Sequence, residues 1–407
     1  MEQPTLDEFR ERCRSWLADN AERRTAEPRK FVWGEGSDSV ALFSNITLEE
    51  EAEVHAASRR WEQLKADAGL GSISWDPQYG GLGLPREYER VYRSEEARFV
   101  VPESHELIQI SRNIVAATIA VHGTGEQRAF FVRAMRRADL VSCQLFSEPG
   151  AGSDLASIAM RAERDGDEWV VSGQKVWTTG ARFADWGYVL CRTGTAEERH
   201  RGLTAFLVRM ETPGIEVRPL RQMTGGSSFN EVFFDSVRVP DSQRLDGVGE
   251  GWRVAMTTLG FERSQSMSNG RVGAPWVQYL ALAHHIGVAD DPVGRQLLAR
   301  LYSQMQADRW TSLRGLARIK QGKAPGPEGS IAKLAWTNQN QLASTVVTHL
   351  LGAGLLADSG EWGTYAWTEL IVGTPGTRLA GGTDEIQRKI IGERALGLPP
   401  EPRPDGG

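Results

Sequence analysis

The chain has 407 residues, more than a single core of ordinary size organises, so two or three domains are expected. Hydrophobic residues make up 40% and charged residues 25%, the balance of a water-soluble globular protein. The 47 Lys and Arg against 53 Asp and Glu give a formal net charge of −6, so bulk charge argues against a nucleic-acid or anionic-membrane partner. No uncharged apolar run reaches the length of a membrane span, so no integral membrane segment is expected. Cys13, Cys143 and Cys191 are odd in number and far apart, which gives neither a disulfide framework nor zinc spacing. His284 and His285 are adjacent and point to different sides of a helix, so no metal site is expected. MEQPTLDEFRERCRSW is charged and has no apolar signal region, so a cytoplasmic location is expected.

Residues 1–139 read as a helical domain. Helical spacing runs over Leu6–Arg24, Leu48–Gly69, Arg86–Val100, Leu107–His122 and Glu126–Arg137, and Thr47 with Glu50 makes a capping box. DPQYGGLGLP, Asp76–Pro85, imitates a dinucleotide fingerprint, but no strand precedes it, and it reads as a tight loop between helices. Residues 140–246 change character. EWVVSGQKVW, YVLCRT, LTAFLVRM, IEVRPL and EVFFDSVRVP are short, β-branched or aromatic and broken by Gly, Pro and Asp turns, which predicts an antiparallel β-domain, a small barrel or sandwich. Residues 247–400 return to helices at Trp252–Ile286, Pro292–Ile319, Gly329–Leu356 and from Thr383, which predicts a four-helix bundle. Gln321–Ser330 reads as a Pro/Gly loop and 401–407 as a disordered tail. The fold class is therefore α+β: N-terminal helical domain, middle antiparallel β-domain, C-terminal four-helix bundle.

Three stretches could carry chemistry. CQLFSEPGAGSD, Cys143–Asp154, runs an apolar strand into small residues that let a ligand approach backbone N–H groups, with Ser147 and Ser153 adding hydroxyls; an ordinary turn is the other reading. KVWTTGARFADW, Lys175–Trp186, ends a strand with Trp177, Thr178 and Thr179. Trp177 could pack on a planar cofactor ring while Thr179 donates to it, or be a core tryptophan. AGGTDEIQ, Ala380–Gln387, makes a turn into a helix start at which Asp384 and Glu385 suit capping.

SEPGAGSD, VSGQKVWTTGA and GGTDEIQRKIIGERALGLP together resemble the signature segments of the acyl-CoA dehydrogenase family. The domain order is similar too, and YGGLGLP is a further family-like loop, so the resemblance spans nearly the whole chain. It implies an FAD flavoprotein that dehydrogenates an acyl-CoA and passes electrons to an electron-transfer flavoprotein, usually as a homotetramer. By the same resemblance Gln144, Phe146, Ser147, Gly152 and Ser153 line the flavin and the acyl-CoA, and Trp177, Thr178 and Thr179 flank the flavin ring. Thr383 and Glu385 belong to a turn near the adenosine diphosphate part of FAD, which suits a helix N-terminus. His349 and Gly352, in HLLGAG, match a loop that reaches a neighbouring subunit's FAD.

The family reaction takes the α-proton onto a carboxylate and sends the β-hydrogen as hydride to flavin N5. Many members carry that carboxylate directly before the Gly-Thr of the last motif, where this chain has Gly381. Other members place it on the first long helix of the C-terminal domain, and Glu262-Arg263 in LGFERSQSM matches their Glu-Arg pair. The resemblance thus points to Glu262 as the base, to Arg263 as structural or substrate-orienting, and to the Gly381 backbone N–H as a donor to the thioester carbonyl. Glycine at 381 also leaves room for a bulky or α-branched acyl group. The chain departs from the family at ADDPVGRQLL, Ala289–Leu298, where two aspartates and a proline replace an arginine and an aromatic, and at His349, where glutamine is usual. These changes keep two alternatives open: a half-site or non-catalytic subunit of a mixed complex, and a related flavin oxidase or monooxygenase.

Overall fold

The computed structural model describes residues 3–24, 31–43, 45–266, 273–321 and 326–400, with the side chains of 263–266, 316, 319 and 320 outside that description. The chain divides into two compact units: Met1–Pro28, Ile46–Gln222 and Ser227–Phe261 form one, and Arg29–Asn45, Met223–Gly226 and Glu262–Gly407 form the other.

In the first unit, helices Leu6–Asn20 and Leu48–Asp67 each open on a complete capping box, Thr5 with Glu8 and Thr47 with Glu50. The first helix stops at Asn20 and the helix Arg86–Glu96 stops short of Val100, because Glu22–Arg23 (β1) pairs antiparallel with Phe99–Val100 (β2). The run Phe99-Val100-Val101 before Pro102 favours extended backbone over the helical continuation that the apolar spacing predicts. The expected helix at 107–122 is present as Glu106–Ile110, a π-turn at Ser111–Val115 and Ala116–His122.

The β-segment forms one eight-stranded sheet. Its strands are Ser142–Leu145 (β3), Arg161–Asp165 (β4), Glu168–Thr179 (β5), Trp186–Arg192 (β6), Leu203–Arg209 (β7), Ile215–Leu220 (β8), Phe229–Pro240 (β9) and Arg244–Leu245 (β10). The order is β10-β7-β6-β4-β5-β9-β8, with β3 beside β6. Pairing is antiparallel except where β3 and β4 run parallel to β6. The strand β4 escapes a hydrophobicity reading because RAERD buries only Ala162. Side chains of β6 and β7 alternate between two cores: Val189, Cys191, Phe206 and Val208 enter one, and Trp186, Tyr188, Leu190 and Leu207 enter the other. The second core is closed by Val115, Ile119 and Met135 from the helices and by Val254 and Ala255. A sheet covered on both faces in this way leaves no slack at its centre.

The second unit packs Leu282, Leu301, Val346, Val347, Trp367 and Leu370 into its core. Its long helices are Pro292–Lys320 and Glu328–Leu351. The single helix expected over 252–286 is two helices, Gly251–Ser266 and Trp276–His285. Residues 267–272 lie outside the described residues, but Gly273 has φ +119° and Pro275 caps the second helix, and proline holds its predecessor away from helical backbone. An unexpected helix, Ala366–Thr377, carries Gly373, Pro375 and Gly376, which read as punctuation in the sequence. Packing explains it: a Cβ on Gly376 would come within 2.8 Å of the Phe43 ring, so these glycines make room for an aromatic side chain. The last helix, Asp384–Ile390, runs into a π-turn at Ile391–Ala395. The expected tail at 401–407 and part of the expected loop at 321–330 lie outside the described residues. Among the described residues no helix is long and apolar enough to cross a membrane.

Candidate active site

In the first unit, the segments Gln144–Ser153 and Trp177–Thr179 are held by one ion pair. Lys175 on β5 is fully buried, and its Nζ donates to the Phe146 carbonyl at 3.0 Å and to Glu148 Oε1 at 2.7 Å. Burial lowers the lysine's affinity for its proton, and the Glu148 carboxylate opposes that shift. Glu148 also accepts from the Ala159 and Met160 N–H groups, and the Val176 N–H donates to the Ser147 carbonyl at 2.9 Å. The turn after β3 is thereby bonded edge-on to β5 before its glycines begin. Phe146 packs edge-to-face on Tyr188, and Gln144 is half-buried in β3. A Cβ on Gly150 or Gly152 would meet nothing within 4 Å, and Ser153 is exposed, so the far side of this turn is open.

Two residues past Lys175 the strand is irregular. The register of β5 on β9 shifts between Lys175 and Thr178, and Trp177 sits in that bulge with φ +60°. A β-bulge re-aims its side chain, and Trp177 is 60% exposed although its neighbours Val176 and Thr178 are buried. Phe229 props the indole edge-on at 5.9 Å. Thr178 Oγ1 is buried and has no hydrogen-bond partner among the described residues. An exposed tryptophan on left-handed backbone is costly for a chain alone, and its open indole face offers a planar surface on which a ligand ring can pack. These residues fit the flavin that the resemblance implies.

The other expected residues lie in the second unit. Gly381 and Gly382 both have left-handed backbone, φ +65° and +92°. A Cβ on Gly381 would stand 3.5 Å from Glu262 Oε1, so the structure brings these two expected residues together. Gly381 is exposed, and among the described residues no group accepts from its N–H. Thr383 caps the last helix by accepting from the Ile386 N–H. The two acids behind it differ. Asp384 is 2% exposed, accepts from Thr337 Oγ1 and Arg378, and lies 3.9 Å from Lys333. Glu385 is exposed and pairs with Arg388; its own backbone N–H and the Thr383 hydroxyl hold its carboxyl below the usual range. Asp384 therefore locks the turn from behind. Arg263 lies in the helix Gly251–Ser266, with its side chain outside the described residues.

His349 is already engaged: its Nε2 lies 2.6 Å from Asp291 Oδ2. The same carboxylate accepts from the Gly294 N–H at the start of Pro292–Lys320, and the imidazole contact is the largest cause of its lowered pKa. Asp291 is thus a helix cap with a histidine partner. Gly352, φ +51°, ends the helix that carries His349. Lys175, Glu148 and Gln387 were not picked out by sequence reasoning. A lysine alternating into the buried face of an apolar strand was the available signal for the first, and an acid in the preceding turn was the signal for its partner.

Three family models match in chain order: acyl-CoA dehydrogenase N-terminal domain over residues 38–139, middle domain over 143–237 and C-terminal domain over 249–396. Acyl-CoA dehydrogenase IpdE1 of Mycobacterium tuberculosis is 36% identical over 405 residues, covering 97% of this chain and 98% of the relative. The human mitochondrial short-chain specific acyl-CoA dehydrogenase is 28% identical over 351 residues, covering 82% of each. Among solved structures, the Tcur3481-Tcur3483 steroid ACAD superposes with a TM-score of 0.73 at 24% identity, over 98% of this chain and 99% of that one, a likeness of fold. This chain belongs to the acyl-CoA dehydrogenase family, and with it to the FAD-dependent oxidoreductases that act on acyl-CoA thioesters.

Proposed function

We propose that the chain converts an acyl-CoA to its 2-enoyl-CoA with Glu262 as the base. The observation that carries this reading is the 3.5 Å between Glu262 Oε1 and the position a Cβ would take on Gly381. A carboxylate from the helix stands where a side chain at 381 would otherwise point. The exposed Gly381 N–H beside it needs no side chain to donate to the thioester carbonyl, and that hydrogen bond acidifies the α-carbon. The Cα–H proton passes to Glu262, its electron pair becomes the second Cα–Cβ bond, and the β-hydrogen departs with its pair. FAD, when bound, would supply the hydride acceptor. Gln144, Phe146, Ser147, Gly152, Ser153, Trp177, Thr178 and Thr179 would hold a flavin; Thr383 and Glu385 would serve the adenosine diphosphate part of an FAD, His349 and Gly352 a neighbouring subunit's FAD, and Ser153 and Arg263 the substrate. Three domains, 1–139, 140–246 and 247–400, carry these parts.

The acyl group is bulky or α-branched and the electron acceptor is an electron-transfer flavoprotein. The test is flavin bleaching on addition of butyryl-, octanoyl- and isobutyryl-CoA, with peroxide followed in parallel. Bleaching fastest with the branched thioester and without peroxide supports the reading, whereas a clear preference for butyryl-CoA removes the substrate assignment. A second reading, a subunit of a mixed tetramer, is favoured by the His349–Asp291 contact, which occupies the residue expected to serve a neighbour's cofactor. A colourless protein that gains FAD only with a second chain would select it over the homotetramer.

A further inference from the structure

The glycine turn has a holder that the reaction does not otherwise use. Gln387 is 1% exposed, one turn into the last helix, and its Nε2 donates to the Gly381 carbonyl at 3.0 Å and to the Gly382 carbonyl at 3.3 Å. Two consecutive glycines with positive φ have a wide choice of backbone conformation, and no side chain of their own fixes their peptide planes. The amide of Gln387 closes against both carbonyls so tightly that a Cβ on Gly382 would come within 2.7 Å of Nε2. The helix that carries Gln387 is itself anchored by Asp384 to Arg378 and Thr337. The Gly381 carbonyl shares its peptide plane with the Gly382 N–H, and the Gly382 carbonyl shares its plane with the Thr383 N–H, so Gln387 fixes the two planes that follow Gly381. Among the described residues no group accepts from the Gly381 N–H, whose plane joins these two at the Gly381 Cα.

We propose that Gln387 is a positioning residue for the dehydrogenation: by fixing the two peptide planes that follow Gly381, it limits the directions open to the Gly381 N–H, the proposed donor to the thioester carbonyl. This rests on the reading of Glu262 and Gly381 given above. Gln387 acts through the turn and touches no substrate, so it governs the step in which the carbonyl gains negative charge more than the binding of the thioester. A donor is required at this position. An isosteric carboxylate would set an oxygen against two carbonyl oxygens and would function only while protonated, with burial and those oxygens raising its pKa.

The test uses the full-length flavoprotein, stopped-flow bleaching with whichever of butyryl-, octanoyl- and isobutyryl-CoA reacts fastest, and hydrogen exchange of peptides covering 379–390. Gln387→Met is expected to lower kcat by roughly 10- to 100-fold with KM within about threefold of wild type, the pattern of a lost transition-state interaction. It is also expected to speed exchange at 381–383. Gln387→Glu is expected to keep activity at the acid end of the range and lose it as pH rises, an alkaline limb absent from wild type. Wild-type kcat in Gln387→Met, or an unshifted pH profile in Gln387→Glu, overturns the proposal. If Gln387→Met does not fold, the profile of Gln387→Glu decides. Glu262→Gln, run in parallel, separates the two claims: if it bleaches as wild type the base assignment fails, and if it is inactive while Gln387→Met is fully active, only the role of Gln387 fails.

Discussion

The β5 segment of the first unit and the glycine turn of the second solve the same problem by opposite means. Around Lys175 the frame is made of side chains: a fully buried ammonium, a carboxylate and an aromatic ring hold two stretches of backbone in register, and a single bulge exposes Trp177. At Gly381 the proposed working group is backbone, and the turn is held by the side chain of Gln387, with Asp384 tying its helix to Arg378. A side-chain frame survives sequence change only as a pair, because removing one partner strands a buried charge. A backbone site survives the loss of its own side chains, so on the proposed reading glycine can stand at 381 while Glu262 serves as the base.

Substitutions sharpen that contrast. The largest effect is expected at the proposed base: Glu262→Gln should cut the rate of flavin reduction by roughly 1,000-fold or more with FAD content unchanged, and a loss below tenfold would move the chemistry elsewhere. Next comes the side-chain frame. Lys175→Met leaves Glu148 without its buried counter-ion, and denaturant unfolding should show about 3 kcal/mol of lost stability. A loss under about 1 kcal/mol would mean that the Ala159 and Met160 N–H groups alone satisfy the carboxylate.

The first unit should also be acid-sensitive through His55, a buried ring stacked on Phe183 whose pKa falls from 6.5 to about 4 by burial and by the charges of His105 and Arg59. The folded state binds this proton less well than the unfolded chain. The contribution is therefore fully present above pH 6.5 and lost as pH falls through about 4. It amounts to up to about 3 kcal/mol, and His55→Phe should flatten that limb of the stability profile. The smallest effect is expected at the turn's own cap: Thr383→Ala removes the bond to the Ile386 N–H and should cost about 1 kcal/mol.

Much of this organisation was legible in the sequence, for reasons that differ by region. Helix starts announced themselves where the cap is local, as at Thr47 with Glu50, and strands where alternation is strict, as over Ile215–Leu220. The motif glycines do lie in turns, Gly150 and Gly152 after β3 and Gly381 and Gly382 before the last helix. What stayed hidden depends on partners far along the chain. The helix Ala366–Thr377 exists because Phe43 fills the space its glycines leave, and β4 exists because β5 supplies its ladder. Asp291 stood out only as a departure from the family pattern, yet His349, 58 residues later, is its partner. Asp384 and Glu385, adjacent and chemically alike, separate into a buried lock and a solvated helix start only when Thr337 and Arg378 are placed.

The claim at the centre is that Glu262 does the work of a side chain missing at 381. Single-turnover flavin bleaching with isobutyryl-CoA can compare Glu262→Gln with the double variant Glu262→Gln/Gly381→Glu. The account predicts that the first is bleached at least about 1,000-fold more slowly than wild type. It predicts that the second recovers part of the rate, held below wild type by left-handed backbone that glycine alone adopts freely. Bleaching of Glu262→Gln at the wild-type rate would contradict it.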